Sequence, residues 1–143
     1  YIESTFSLVR RIPPKYGSLA ARVKYLLRML YVHDLENLNL IAALNANSWR
    51  WNEARERELA RHHGEYHDTM MALFEEACAQ GQIDQGNFRA ASILILGVYT
   101  YGLRKALYER FDADRLVAHI EPQISIILDA FAYRVVPGFA DEK

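Results

Sequence analysis

A single cysteine, Cys78, occurs among 143 residues, so no disulfide can form within one copy of the chain. That usage matches a reducing cytoplasm better than a secreted scaffold. Cys78 itself lies in an apolar-periodic segment, as a small core residue would. Proline (four) and glycine (seven) are too scarce for a fibrous or low-complexity chain, and most of them stand where helices must break. Neither sign of charge is in excess: 17 basic residues face 18 acidic ones. A domain that grips nucleic acid carries a basic surface, because neutralising phosphates supplies most of its non-specific affinity. This chain is therefore expected not to bind nucleic acid by itself. No apolar run approaches the roughly 18 to 20 residues of a membrane span. The densest, Ile93 to Val98, has the length of a buried helix segment. The expected location is cytoplasmic, with no membrane partner.

What is present is ordinary globular material, 51% apolar and 24% charged, in a length that forms one domain. Tyr1 to Arg11 reads as the tail of a helix, stopped by Pro13-Pro14. Because the chain opens on Tyr1-Ile2-Glu3 in apparent mid-helix, an N-terminal part is expected to precede it. Ser18 is a good N-cap for a helix to about His33, with Leu19, Val23, Leu26, Leu27 and Leu30 on one face. Asp34 or Asn37 caps a short third helix that ends near Asn47-Ser48. A long helix follows from about Trp51 to Gln80, with Gly81 as its C′ residue and Gly64 as a weak point. At 1.5 Å per residue it is on the order of 45 Å long. A helix from about Asn87 to Arg110 comes next. Asp112 or Asp114 caps the last, which runs to about Val136, with Pro122 marking a kink or break. No segment alternates with the period of a half-buried strand. The expected fold is all-α, a helical bundle of about six helices.

The helix from Asn87 carries apolar residues on every face of its first four turns, and the last helix behaves similarly. A helix apolar all round is buried all round. Either both lie at the centre of a monomeric core, or, more economically, both pair with their copies as a dimeric four-helix bundle. The residues expected at that dimer interface are Leu94, Gly97, Val98, Tyr101, Ile120, Ile124, Ile127 and Phe131. Gly97 and Gly102 each cost about 1 kcal/mol against alanine inside a helix, and close backbone approach at a crossing would explain them.

The long helix places His62 and Tyr66 on one apolar stripe, with His67, Met70 and Phe74 on its flank. Facing it, the second and third helices offer Tyr25, Met29, Asn45 and Trp49. Aromatic and methionine stripes at helical spacing are the stuff of plain cores. The histidine, asparagine and tyrosine residues among them instead suggest a cavity whose guest partners the buried polar groups. The ligand-binding set expected is Tyr25, Met29, Asn45, Trp49, His62, Tyr66 and Met70. No catalytic motif is evident: HExxH, paired ExxH, GxSxG contexts and phosphate-cradling glycine loops are all missing. His63 and His67 are four apart, within reach of one metal, but surface or pocket histidines are their expected identity. No enzyme activity, metal or cofactor is expected.

The run Leu73-Phe74-Glu75-Glu76-Ala77-Cys78-Ala79-Gln80-Gly81-Gln82-Ile83-Asp84, followed by Asn87 to Gly97, resembles the C-terminal regulatory domain of tetracycline-repressor (TetR) family transcriptional regulators. The shared pattern is a long helix ending in a Gly-polar-apolar-acidic turn, then an alanine-rich apolar helix, then a capped final helix from Asp112 to Tyr133. The resemblance covers nearly the whole chain in helix order and length. It implies that residues 1–143 form an effector-binding and dimerisation domain, with residues 1–11 the remnant of a connecting helix. It also implies a homodimer on the last two long helices and an effector pocket among the earlier ones. DNA would be bound only through an upstream helix-turn-helix domain absent from this chain, and the effector is expected to be small and amphipathic or aromatic. The competing expectation is a helical interaction module that meets a different protein.

Overall fold

A computed structural model describes residues 18–40, 43 and 53–131, with the side chains of residues 54–56, 58–60, 62–63 and 131 outside the description. The described residues are helical, with no strand among them. Four helices have defined bounds: α1 Leu19–Leu35, α2 Glu53–Ala79, α3 Phe88–Glu109 and α4 Ala113–Phe131. Residues 38–40 are helical again, where a short helix after Asn37 was expected. The expected helices before Pro13 and on to Asn47 lie outside the described residues or run out of them, as does any extension of α4 past Phe131.

Local chemistry sets the helix ends. Ser18 Oγ accepts from the Ala21 amide at 3.2 Å and opens α1. α2 closes in a Schellman arrangement: the Gly81 amide donates to Cys78 O, the Gln82 amide to Ala77 O, and Gly81 takes φ +74. Asn87 Oδ1 accepts from the Ala90 amide at 3.1 Å to start α3. At its other end Arg110 adopts a left-handed conformation, φ 56, where a side chain is strained. Asp112, not Asp114, opens α4, accepting the Arg115 amide at 2.9 Å. Pro122 lies within α4 without dividing it, and Gly64 does not divide α2.

α1 and α3 form the middle of the molecule. α4 packs against both from one side and α2 against both from the other, while α2 and α4 do not pack on each other among the described residues. The inward face of α3 is a clean helical stripe of Phe88, Ala91, Ser92, Ile95, Tyr99, Gly102, Leu103 and Ala106. α4 turns in Leu116, Ile120, Ile124 and Leu128, and α2 turns in Tyr66, Met70, Leu73, Phe74 and Ala77. The close approach expected at Gly102 lies inside the protomer. A Cβ there would overlap the Tyr31 hydroxyl and stand 2.9 Å from Ile120 Cγ2. Gly97 has no atom within 4 Å of where its Cβ would be.

Polar ties hold the ends of the layers together. The Leu19 amide donates to Gln82 Oε1 at 3.1 Å, and the buried Arg22 guanidinium donates to Glu76 Oε2 at 2.6 Å, which binds the start of α1 to the end of α2. On the surface, Lys24 pairs with Glu121 at 3.0 Å and Arg28 with Asp114 at 2.7 Å, bridging α1 and α4. Among the described residues no helix is long and apolar enough to cross a membrane.

Candidate functional site

Two features stand out from packing alone: a polar cluster inside the three-helix interior, and an apolar outer face on α3.

The cluster begins at Tyr31 of α1. Its hydroxyl donates to the Tyr99 carbonyl oxygen at 2.9 Å, and the two rings stack with centroids 4.2 Å apart. Tyr99 in turn donates its hydroxyl to Asp34 Oδ2, so the last turn of α1 is fastened to the middle of α3. Burial raises the Asp34 carboxyl above its ordinary value, against the opposing pull of the Tyr99 hydrogen bond. Burial, reinforced by the neighbouring Asp34 carboxylate, also raises the Tyr31 and Tyr99 phenols, so both remain protonated donors.

From α2, Tyr66 donates to the Ser92 carbonyl oxygen at 3.1 Å, and His67 Nδ1 stands 2.6 Å from Ser92 Oγ. The His67 ring meets Tyr66 edge-on, with centroids 5.0 Å apart. Ser92 thus takes a hydrogen bond from α2 at its backbone and makes another at its side chain. The cluster joins α1, α2 and α3 through polar side chains that the hydrophobic core surrounds, and such a cluster specifies one mutual arrangement of the helices.

Of the expected ligand-binding residues, Tyr66 and Met70 lie in the core, Met29 packs half-buried against it, and Tyr25 reaches the surface. Asn45 and Trp49 lie outside the described residues, as does the His62 side chain. Sequence reasoning gave Tyr31, Ser92 and Tyr99 no site role, and Asp34, read there as a possible cap of the third helix, lies within α1 with its carboxylate accepting from Tyr99. Among the described residues no group of three or more histidine, cysteine, aspartate or glutamate side chains is placed to hold a metal.

The outer face of α3 lies opposite its core stripe. Ile93 is 52% exposed, Leu94 49%, Tyr101 64% and Tyr108 76%. Gly97, Thr100 and Arg104 are exposed between them. Leu94, Gly97 and Tyr101 from the expected interface therefore sit on this face, with Val98 and Ile127 half-buried at the margins of the core. Ile120 and Ile124 do not: at 2% and 1% exposure they belong to the protomer's own core. They occupy the face of α4 that packs on α1 and α3, so Ile126, exposed on the same helix, is the residue turned outward. The Phe131 side chain lies outside the description.

Comparison of this chain with family models, with curated proteins and with solved structures finds no match.

Proposed function

We propose that this chain is the regulatory domain of a TetR-like transcriptional regulator, a repressor, that binds a small effector and forms a homodimer. DNA binding would reside in an upstream helix-turn-helix domain. The reading is non-enzymatic and needs no cofactor. The observation that carries it is the outer face of α3, where a row of large apolar side chains and an open glycine meets solvent. Monomeric proteins rarely leave such a row uncovered.

The effector would enter between α1 and α2, against Tyr66, Met70 and Met29, with Tyr25 at its margin; Asn45, Trp49 and the His62 side chain, expected beside it, lie outside the described residues. Tyr66 and His67 both bond to Ser92 of α3. A guest that shifts α2 therefore pulls on the helix proposed to carry the dimer. Regulation follows as a population shift: the effector changes DNA affinity only by its unequal affinity for two arrangements of the dimer.

Thermal unfolding against a panel of amphipathic aromatic compounds tests the effector half. A specific effector at a hundred times its Kd adds about 2.7 kcal/mol of stability. That gain should vanish in Met70→Ala while the variant remains folded. A panel whose hits stabilise wild type and Met70→Ala equally would refute the assigned pocket.

A further inference from the structure

Resting on the homodimer reading, we propose how the two copies meet: α3 packs antiparallel on its own copy about a two-fold axis at Tyr101, with Arg104 of each copy entering the notch at Gly97 of the other.

The exposed stripe is Leu94, Gly97, Tyr101, Arg104 and Tyr108, spaced 3, 4, 3 and 4, the alternation of a helix-pairing seam. Turning the stripe end for end about Tyr101, its midpoint, exchanges Leu94 with Tyr108 and sets Arg104 one residue, about 1.5 Å along the axis, from the position opposite Gly97. Leu94 then opposes Tyr108, Tyr101 meets Tyr101, and Gly97 lies within reach of the long Arg104 side chain. Tyr108 meets the smaller Leu94, and the longest side chain reaches the position without one. The notch is real, since nothing within 4 Å fills the space a Gly97 Cβ would take.

Charge selects the direction. Arg104 is the one charged residue on this stripe. A parallel pair would set Arg104 against Arg104 and Gly97 against Gly97, which combines like-charge repulsion with a void. An antiparallel pair centred on Gly97 would strand Tyr108 past the start of the partner helix. Centred on Tyr101, the pairing covers the whole stripe and lays each guanidinium beside the partner's Tyr101 ring, a favourable cation–π placement.

Area agrees. At roughly 200 Å² for a large apolar side chain, the exposed fractions of Ile93, Leu94, Tyr101, Leu107 and Tyr108 leave about 560 Å² per copy. A pair that covers all of it buries about 1,100 Å², just above the roughly 1,000 Å² that a biological interface should clear.

Single-cysteine variants made in a Cys78→Ala chain test the register by oxidation or with a short bis-maleimide. Tyr101→Cys should cross-link to itself. Leu94→Cys mixed with Tyr108→Cys should cross-link one to the other, while Leu94→Cys alone should not, because two such sites would lie about 20 Å apart. In parallel, Gly97→Leu should keep its helical spectrum and cooperative unfolding yet weaken self-association at least about a hundredfold. Self-cross-linking of Leu94→Cys, or a dimeric wild type in which none of these pairs reacts, would overturn this register and leave the homodimer reading intact. A monomeric wild type would overturn both.

Discussion

Gly102 offers the sharpest test of how the interior is packed. An ordinary helix glycine is replaced by alanine at a gain of about 1 kcal/mol. At 102 the new methyl would overlap the Tyr31 hydroxyl and press on Ile120 Cγ2 at 2.9 Å. Tyr31 is fully buried, stacked on Tyr99 and bonded to the Tyr99 carbonyl oxygen, so it has no free direction in which to move. Displacing it forfeits a hydrogen bond worth about 1 kcal/mol and adds overpacking of about 1 to 3 kcal/mol. Gly102→Ala should therefore destabilise the chain by about 1 to 3 kcal/mol net, a fall of about 3 to 10 °C in Tm for a domain of this size. Urea unfolding at low protein concentration measures it. Tyr31→Phe deletes the overlapping atom and leaves its ring carbon Cζ at 3.4 Å, so in that background only the Ile120 Cγ2 contact at 2.9 Å remains and the alanine should cost markedly less. The coupling between the two substitutions should reach at least about 1 kcal/mol. Additive effects, or a Gly102→Ala chain as stable as wild type, would refute the packing described.

Ser92→Ala removes the hydroxyl beside His67 and should cost about 1 to 2 kcal/mol in denaturant unfolding. Asp34 is raised by burial, so the folded state holds its proton more tightly than the unfolded chain does. Its contribution to stability is full below the ordinary carboxylate value of 3.8 and falls as pH rises from there through the raised value. Asp34→Asn should abolish that decline, which a pH series of urea midpoints would reveal. Arg110→Gly should stabilise by about 0.5 to 1 kcal/mol, because glycine accepts φ 56 without strain. Arg22→Ala should cost about 2 to 3 kcal/mol through lost packing and an abandoned Glu76. Removing Lys24, whose pair is on the surface, should leave the urea midpoint almost unmoved.

The helix boundaries were legible because their signals are local. Ser18, Gly81 and Asn87 act at the positions where the sequence places them, and Asp112 rather than Asp114 proves to be the cap. The inward stripe of α2 was legible for the same reason, since periodicity reports which residues share a face. Periodicity does not report which of two apolar faces looks inward. On α4 that ambiguity set Ile120 and Ile124 at the outer surface, when the packing of α4 on α1 and α3 takes them into the core. The two glycines of α3 look alike in sequence, yet one meets Tyr31 and the other meets solvent. The polar cluster was invisible for a different reason. Asp34 and Tyr99 are 65 residues apart and His67 and Ser92 are 25 apart, so nothing in either neighbourhood announces the pairing.

The most direct measurement is the solution mass of the chain by light scattering across a dilution series. An apolar row on α3 that needs a second copy predicts twice the 16.5 kDa chain mass at low micromolar concentration. Leu94→Glu with Tyr101→Glu should return it to a single chain with its helical content unchanged. A wild-type chain that stays at 16.5 kDa throughout the series, helical and cooperatively folded, would contradict the homodimer.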